Sequence, residues 1–136
     1  MARILVIDDD LAIRMVVTLL LERHGHQTVV ADNGLSGLSI LEADDADFDL
    51  LIIDIFMPEM DGLEAIRRVR QIKPALPIIV VSGGARQIGS MPDYLSMAMK
   101  LGAVESVRKP FKSEALIAAV NGCLGLGKES HNNKAG

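Results

Sequence analysis

Asp49-Leu50-Leu51-Ile52-Ile53-Asp54 is an apolar run closed at each end by a carboxylate, and Ile55-Phe56-Met57-Pro58 follows at once. An unbroken aliphatic run of this length reads as a strand buried on both faces, and a proline just beyond it ends the ladder. Asp54 is therefore delivered to the rim of a sheet, where it can meet water, a metal or a phosphoryl group. Ile4-Leu5-Val6-Ile7 repeats the pattern and ends in Asp8-Asp9-Asp10. Two buried strands bringing carboxylates to one rim point to a divalent-cation site. The plainer reading makes these acids turn residues and helix caps, which are common after strands.

Working outward, strand and helix signals alternate along the chain. Residues 3–7 form the first strand. Residues 11–23 carry an apolar surface of Leu11, Met15, Val16, Leu19 and Leu20 that is expected to face the core, and Gly25 stops that helix. Thr28 to Val30 is a short second strand, and Asn33-Gly34 opens a helix with Leu35, Leu38 and Leu41 at helical spacing. The third strand spans 49–54. Asp61, with Glu64 three residues on, resembles a capping box for a helix bearing Leu63, Ile66 and Val69.

Pro77 to Ser82 is the fourth strand, nearly all β-branched between its ends. A glycine-rich link, Gly83 to Ser90, leads to a helix starting near Pro92, whose methionines Met91, Met97 and Met99 are expected to supply core residues. Val104 to Val107 is the fifth strand, and Ser113 is expected to cap a last helix bearing Leu116, Ile117, Val120 and Leu124. Alternating strands and helices predict an α/β fold: a doubly wound, five-stranded parallel sheet with five helices. Residues 125–136 turn to Gly, Lys, Ser, His, Asn and Ala and are expected to be a disordered tail.

Composition narrows the function. The 136 residues suit one domain, and 49% hydrophobic content with 3% aromatics describes an aliphatic core. Net charge is −4 and no basic block stands out, which argues against a direct nucleic-acid or anionic-membrane surface. One cysteine, Cys123, cannot form an internal disulfide. The short apolar start is no signal peptide, so a cytoplasmic setting is expected. His24 and His26 are read as residues of a solvated loop rather than metal ligands.

In a doubly wound sheet, functional groups gather outside the carboxyl ends of the strands. There the sequence places Asp8, Asp9, Asp54, Ser82 and Lys109. Crowded carboxylates repel unless a cation intervenes. Mg²⁺ suits such a site because it prefers oxygen ligands and is completed by phosphate oxygens. An Asp carboxylate can attack phosphorus to give an acyl phosphate, and an ammonium and a hydroxyl can then stabilise the equatorial oxygens. Lys109 and Ser82 offer those two groups.

The strings Val6-Ile7-Asp8-Asp9, Ile53-Asp54-Ile55-Phe56-Met57-Pro58-Glu59-Met60-Asp61-Gly62, Val81-Ser82 and Lys109-Pro110-Phe111 resemble the receiver domain of bacterial two-component response regulators. The resemblance covers roughly residues 3–124, so that 1–124 is expected to be the receiver domain. It implies the flavodoxin-like strand order 2-1-3-4-5. It also implies Asp54 as phospho-acceptor, with Asp9, Asp54 and the Phe56 backbone carbonyl as direct Mg²⁺ ligands and Asp8 acting through a metal-bound water. Lys109 would pair with Asp54 and then with the phosphoryl group, the Ser82 hydroxyl would bond the phosphate, and Lys109-Pro110 would be a cis peptide. The implied partners are a histidine kinase or phosphotransfer protein and a downstream protein target. The implied state is a monomer or a phosphorylation-linked dimer. Such a domain catalyses its own phosphoryl transfer and is not a turnover enzyme.

Three departures stand out. The position three residues before the lysine, usually Tyr or Phe in receivers, is Ser106. The Gly83–Ser90 link is longer than in a compact receiver. Phe56 and Gly84 offer no side chain that could hold an attacking water, which predicts slow self-hydrolysis that Phe56→Asn should accelerate. Two other readings compete. One is a receiver-fold interaction module that needs no phosphate. The other is a haloacid-dehalogenase-like phosphatase with Asp8 as nucleophile and Asp10 as acid/base. The second lacks a late acidic pair and has Ala12 where that motif carries Thr or Val.

Overall fold

The computed structural model describes residues 2–43, 47–55, 57, 62–82 and 91–125. Strands β1 (Arg3–Ile7), β2 (Gln27–Ala31), β3 (Leu50–Asp54), β4 (Ile78–Ser82) and β5 (Glu105–Arg108) alternate with helices α1 (Leu11–Arg23), α2 (Gly34–Glu42), α3 (Gly62–Ile72), α4 (Met91–Lys100) and α5 (Ser113–Leu124). All four strand pairings are parallel, as the alternation of elements predicts, and their order β2-β1-β3-β4-β5 is the one the receiver resemblance implies.

The two-residue period of a strand sorts the aliphatics into two cores. Leu5, Ile7, Leu51, Ile53, Ile78 and Val80 pack with Leu38, Leu41, Ile66 and Val69 from α2 and α3. Ile4, Val6, Leu50, Ile52, Ile79 and Val81 pack with Val17, Leu21, Leu116 and Val120 from α1 and α5. Every residue of β3 and β4 is buried.

Helix ends follow local chemistry. Asp10 caps α1 by accepting from the Ala12 amide at 2.9 Å, and Asn33 caps α2 by accepting from the Ser36 amide at 2.8 Å. Gly25, at φ 86°, ends α1 in the left-handed region that glycine enters freely. Gly62 opens α3 against β3. Its amide donates to the Ile55 carbonyl at 2.7 Å, and a Cβ there would lie 2.5 Å from the Asp54 carbonyl oxygen. At the opposite end of the sheet, Arg70 of α3 donates to the carbonyls of Lys73, Pro74 and Gly102, so one guanidinium braces the chain after α3 and the chain after α4.

Five expectations are corrected. On α1, Leu11, Met15, Val16 and Leu19 are more than half exposed, and the buried residues are Val17 and Leu21, with Ile13 and Leu20 partly buried beside them. The helix is apolar around most of its circumference, so more than one stripe fits its sequence. Leu35 of α2 is likewise exposed, while Leu38 and Leu41 are buried. On α4, Met97 and Met99 are exposed and Ala98 is buried; the side chain of Met91 lies outside the described residues. Ser113 is the first residue of α5 rather than its cap, and Lys112 holds the cap position without a side-chain hydrogen bond. His26 is buried, not solvated, and its Nδ1 accepts from the Ala2 amide at 3.1 Å. The Asp61 cap and the 126–136 part of the expected tail fall outside the described residues.

Candidate functional site

The alternation that fills the α1–α5 core also aims the site. Asp8 continues the parity of Ile4 and Val6, Asp54 that of Leu50 and Ile52, and Lys109 that of Val107. Strand register completes the alignment. Ile7 pairs with Ile53, Asp54 with Val81 and Ser82 with Arg108, so the acid-bearing and lysine-bearing ends lie side by side along one rim.

Asp8, Asp9 and Asp54 each place a carboxylate oxygen within 4.8 Å of the others. Asp8 and Asp54 are buried, at 2% and 5% exposure, while Asp9 opens to solvent. The Lys109 ammonium bridges the two buried acids, 3.0 Å from Asp8 Oδ2 and 3.2 Å from Asp54 Oδ2. Burial by itself would pull the lysine down, but the Asp54 and Asp8 carboxylates outweigh it and leave the ammonium above its ordinary pKa. The Lys109 amide donates to the Ser82 carbonyl at 2.7 Å, and the Lys109–Pro110 peptide is cis.

An all-carboxylate donor set with one open member suits a hard divalent cation that keeps water ligands. The ammonium between Asp8 and Asp54 shows that the group holds positive charge where a metal or a phosphoryl group would alter the balance. The residues therefore fit a metal.

The short link from Asp8 to the first turn of α1 is tied down by polar contacts to itself, to β2 and to α1. The Asp8 amide donates to the Ala31 carbonyl at 3.2 Å, and the Asp10 amide donates to Asp8 Oδ1 at 2.9 Å. Arg14 Nη1 donates to the Asp8 backbone carbonyl at 2.6 Å. Arg14 went unnoticed in the sequence. The available signal was its place one turn into α1, because helical side chains lean toward the amino end and so back over the acid corner.

Of the expected site residues, Asp8, Asp9, Asp54 and Lys109 come together. Ser82 is buried at the end of β4 and joins the group through its main chain; it continues the parity of Ile78 and Val80, which face the other core. Phe56, Gly84 and the Gly83–Ser90 link lie outside the described residues. Ser106 is exposed on β5, paired with Val80. Asp10 is engaged as a helix cap, so the acid/base role that the phosphatase reading needs is not supported.

Residues 4–121 match the response regulator receiver domain family. The chain is 34% identical to a probable transcriptional regulatory protein of Picosynechococcus over 90% of its own length and 49% of the relative's. It is 38% identical to the DNA-binding transcriptional regulator NtrC of Azospirillum brasilense, over 90% of the chain and 24% of that protein. The chain thus spans half or less of these two relatives. Among solved structures, a response regulator receiver domain protein from Clostridium thermocellum superposes with a TM-score of 0.82 at 32% identity, covering 94% of this chain and 98% of that one. The chemotaxis protein CheY4 of Vibrio cholerae gives 0.78 at 30% identity, covering 91% and 99%. None of the described helices is long and apolar enough to cross a membrane.

Proposed function

The chain belongs to the response regulator receiver domain family, and we propose that it is a phosphorylation-driven switch whose Asp54 accepts a phosphoryl group from a histidine kinase or phosphotransfer protein. The observation that carries this reading is the Lys109 ammonium held between Asp8 Oδ2 and Asp54 Oδ2 inside a cluster of three carboxylates. A carboxylate oxygen of Asp54 attacks phosphorus. The new O–P bond forms as the P–N bond of a phosphohistidine breaks, and the electron pair leaves with the imidazole. Lys109 shifts from the Asp54 carboxylate to the phosphoryl oxygens, and the Ser82 hydroxyl donates to the same group.

Mg²⁺ belongs to this reading, with Asp9, Asp54 and the Phe56 carbonyl as its direct ligands and Asp8 reaching it through water. Bound there, it would offset negative charge on the phosphoryl oxygens in transfer. The domain transfers one phosphoryl group to itself and is not a turnover enzyme. Its setting is the cytoplasm, and its output is a contact with a downstream protein through the face around α4, β5 and α5. A net charge of −4 does not favour direct nucleic-acid binding.

The test is intact-protein mass after incubation with acetyl phosphate and Mg²⁺. The expected result is a gain of one phosphoryl group that disappears in Asp54→Asn and without metal. No gain in a folded protein that binds Mg²⁺ would overturn the reading.

A further inference from the structure

We propose that Arg14 is a positioning residue for the cation site, an inference that rests on the metal reading above. Its guanidinium donates to the backbone carbonyl of Asp8 at 2.6 Å, and that carbonyl belongs to the peptide unit leading into Asp9. A peptide is planar, so fixing the carbonyl direction fixes the plane from which the Asp9 side chain departs. The same corner is held on its other sides by the Asp8 amide on Ala31 and by Asp8 Oδ1 on the Asp10 amide. Of the three acids, Asp9 is the exposed one. Its placement therefore depends on the backbone beneath it more than on packing around its carboxylate.

Arg14 is well suited to this task. It is half-buried on the first turns of α1, and its own amide donates to the Asp10 carbonyl at 3.0 Å. Main chain and side chain of one residue thus grip both flanks of the Asp8–Asp10 corner. A lysine at the same place would keep the charge but lose the rigid, multi-donor fork.

The sign of the effect separates positioning from simple charge. Arg14 is a cation beside a cation site, so its field alone opposes metal binding, and its removal would tighten binding. Positioning predicts the reverse.

The experiment titrates Mn²⁺ into wild type, Arg14→Met, Arg14→Lys and the control Arg23→Met, reading free Mn²⁺ by electron paramagnetic resonance, with melting followed in EDTA. Arg14→Met is expected to weaken Mn²⁺ binding about tenfold, as loss of a group that orients a metal ligand typically does. Arg14→Lys should fall between it and wild type, Arg23→Met should match wild type, and the metal-free melting temperatures should be close. Should Arg14→Met fold poorly, Arg14→Lys alone decides the matter. Unchanged or tighter Mn²⁺ binding in a folded Arg14 variant would overturn the inference. Failure of wild type to bind Mn²⁺ would instead overturn the metal reading, and this inference with it.

Discussion

Lys109 stands marginally closer to Asp8 than to Asp54, 3.0 Å against 3.2 Å, so it is a shared counter-ion of two buried acids rather than the partner of one. Removing it leaves both carboxylates buried beside each other. Lys109→Met should destabilise the metal-free protein by about 3 kcal/mol, the lower end for breaking a buried pair because the lysine side chain keeps 17% exposure. Urea unfolding in EDTA measures this, and millimolar Mg²⁺ should recover more of the loss in the variant than it adds to wild type.

The same bridge sets an alkaline limit. The folded pKa of Lys109 is raised above the ordinary 10.5, with the carboxylates outweighing the opposing effect of burial. Its contribution is therefore complete below the ordinary lysine pKa and is lost as pH rises through the higher folded value. The stability gap between wild type and Lys109→Met should be constant from pH 8 to about 10 and close above that, because both proteins then lack the ammonium. A gap that persists undiminished at the highest pH would contradict this.

His26 sets a limit on the acid side. Burial, reinforced by charge repulsion from the chain's amino terminus and then from His24, lowers its pKa from 6.5, and Nδ1 must stay unprotonated to accept from the Ala2 amide. The unfolded chain therefore binds the proton more readily. The stabilisation is full above the ordinary value and declines as pH falls below it toward the folded value. His26→Gln should flatten the change in urea midpoint between pH 7 and pH 5 relative to wild type.

Two substitutions on α1 should separate its faces. Leu21→Ala, at a fully buried position, should cost about 2–5 kcal/mol. Met15→Lys, at a position 63% exposed, should change stability by no more than about 0.5 kcal/mol. Chemical unfolding of the two variants checks both, and a large loss in Met15→Lys would mean that the exposed stripe packs against something in solution.

Gly62→Ala places a methyl group against the Asp54 carbonyl oxygen and the Ile55 main chain. The expected cost is about 1–3 kcal/mol of stability from overpacking. Because the contact is with the backbone of Asp54, the proposed acceptor, phosphorylation from acetyl phosphate should also slow at a temperature where the variant is fully folded.

Much of this molecule was legible in its sequence because the strands carry redundant signals. β1 beyond Arg3, β3 and β4 are aliphatic up to the polar residue at or just past their ends, so Asp8, Asp54 and Ser82 could be placed at one rim from residue types alone. α3 was equally readable, with Ile66 and Val69 buried as its spacing implied. α1 was not, because Leu-Ala-Ile-Arg-Met-Val-Val-Thr-Leu-Leu-Leu offers several apolar stripes and periodicity cannot choose among them. His26 escaped because its burial depends on a partner 24 residues away, the Ala2 amide. Arg14 escaped because its target is a carbonyl, which leaves no mark on residue type.

The Arg70 brace makes two links of the domain depend on one side chain. It holds the chain just after α4 to the chain just after α3, at the end of the sheet remote from the carboxylates. The segments leading into β4 and β5 thus share one guanidinium, so displacing either of them breaks hydrogen bonds that also hold the other.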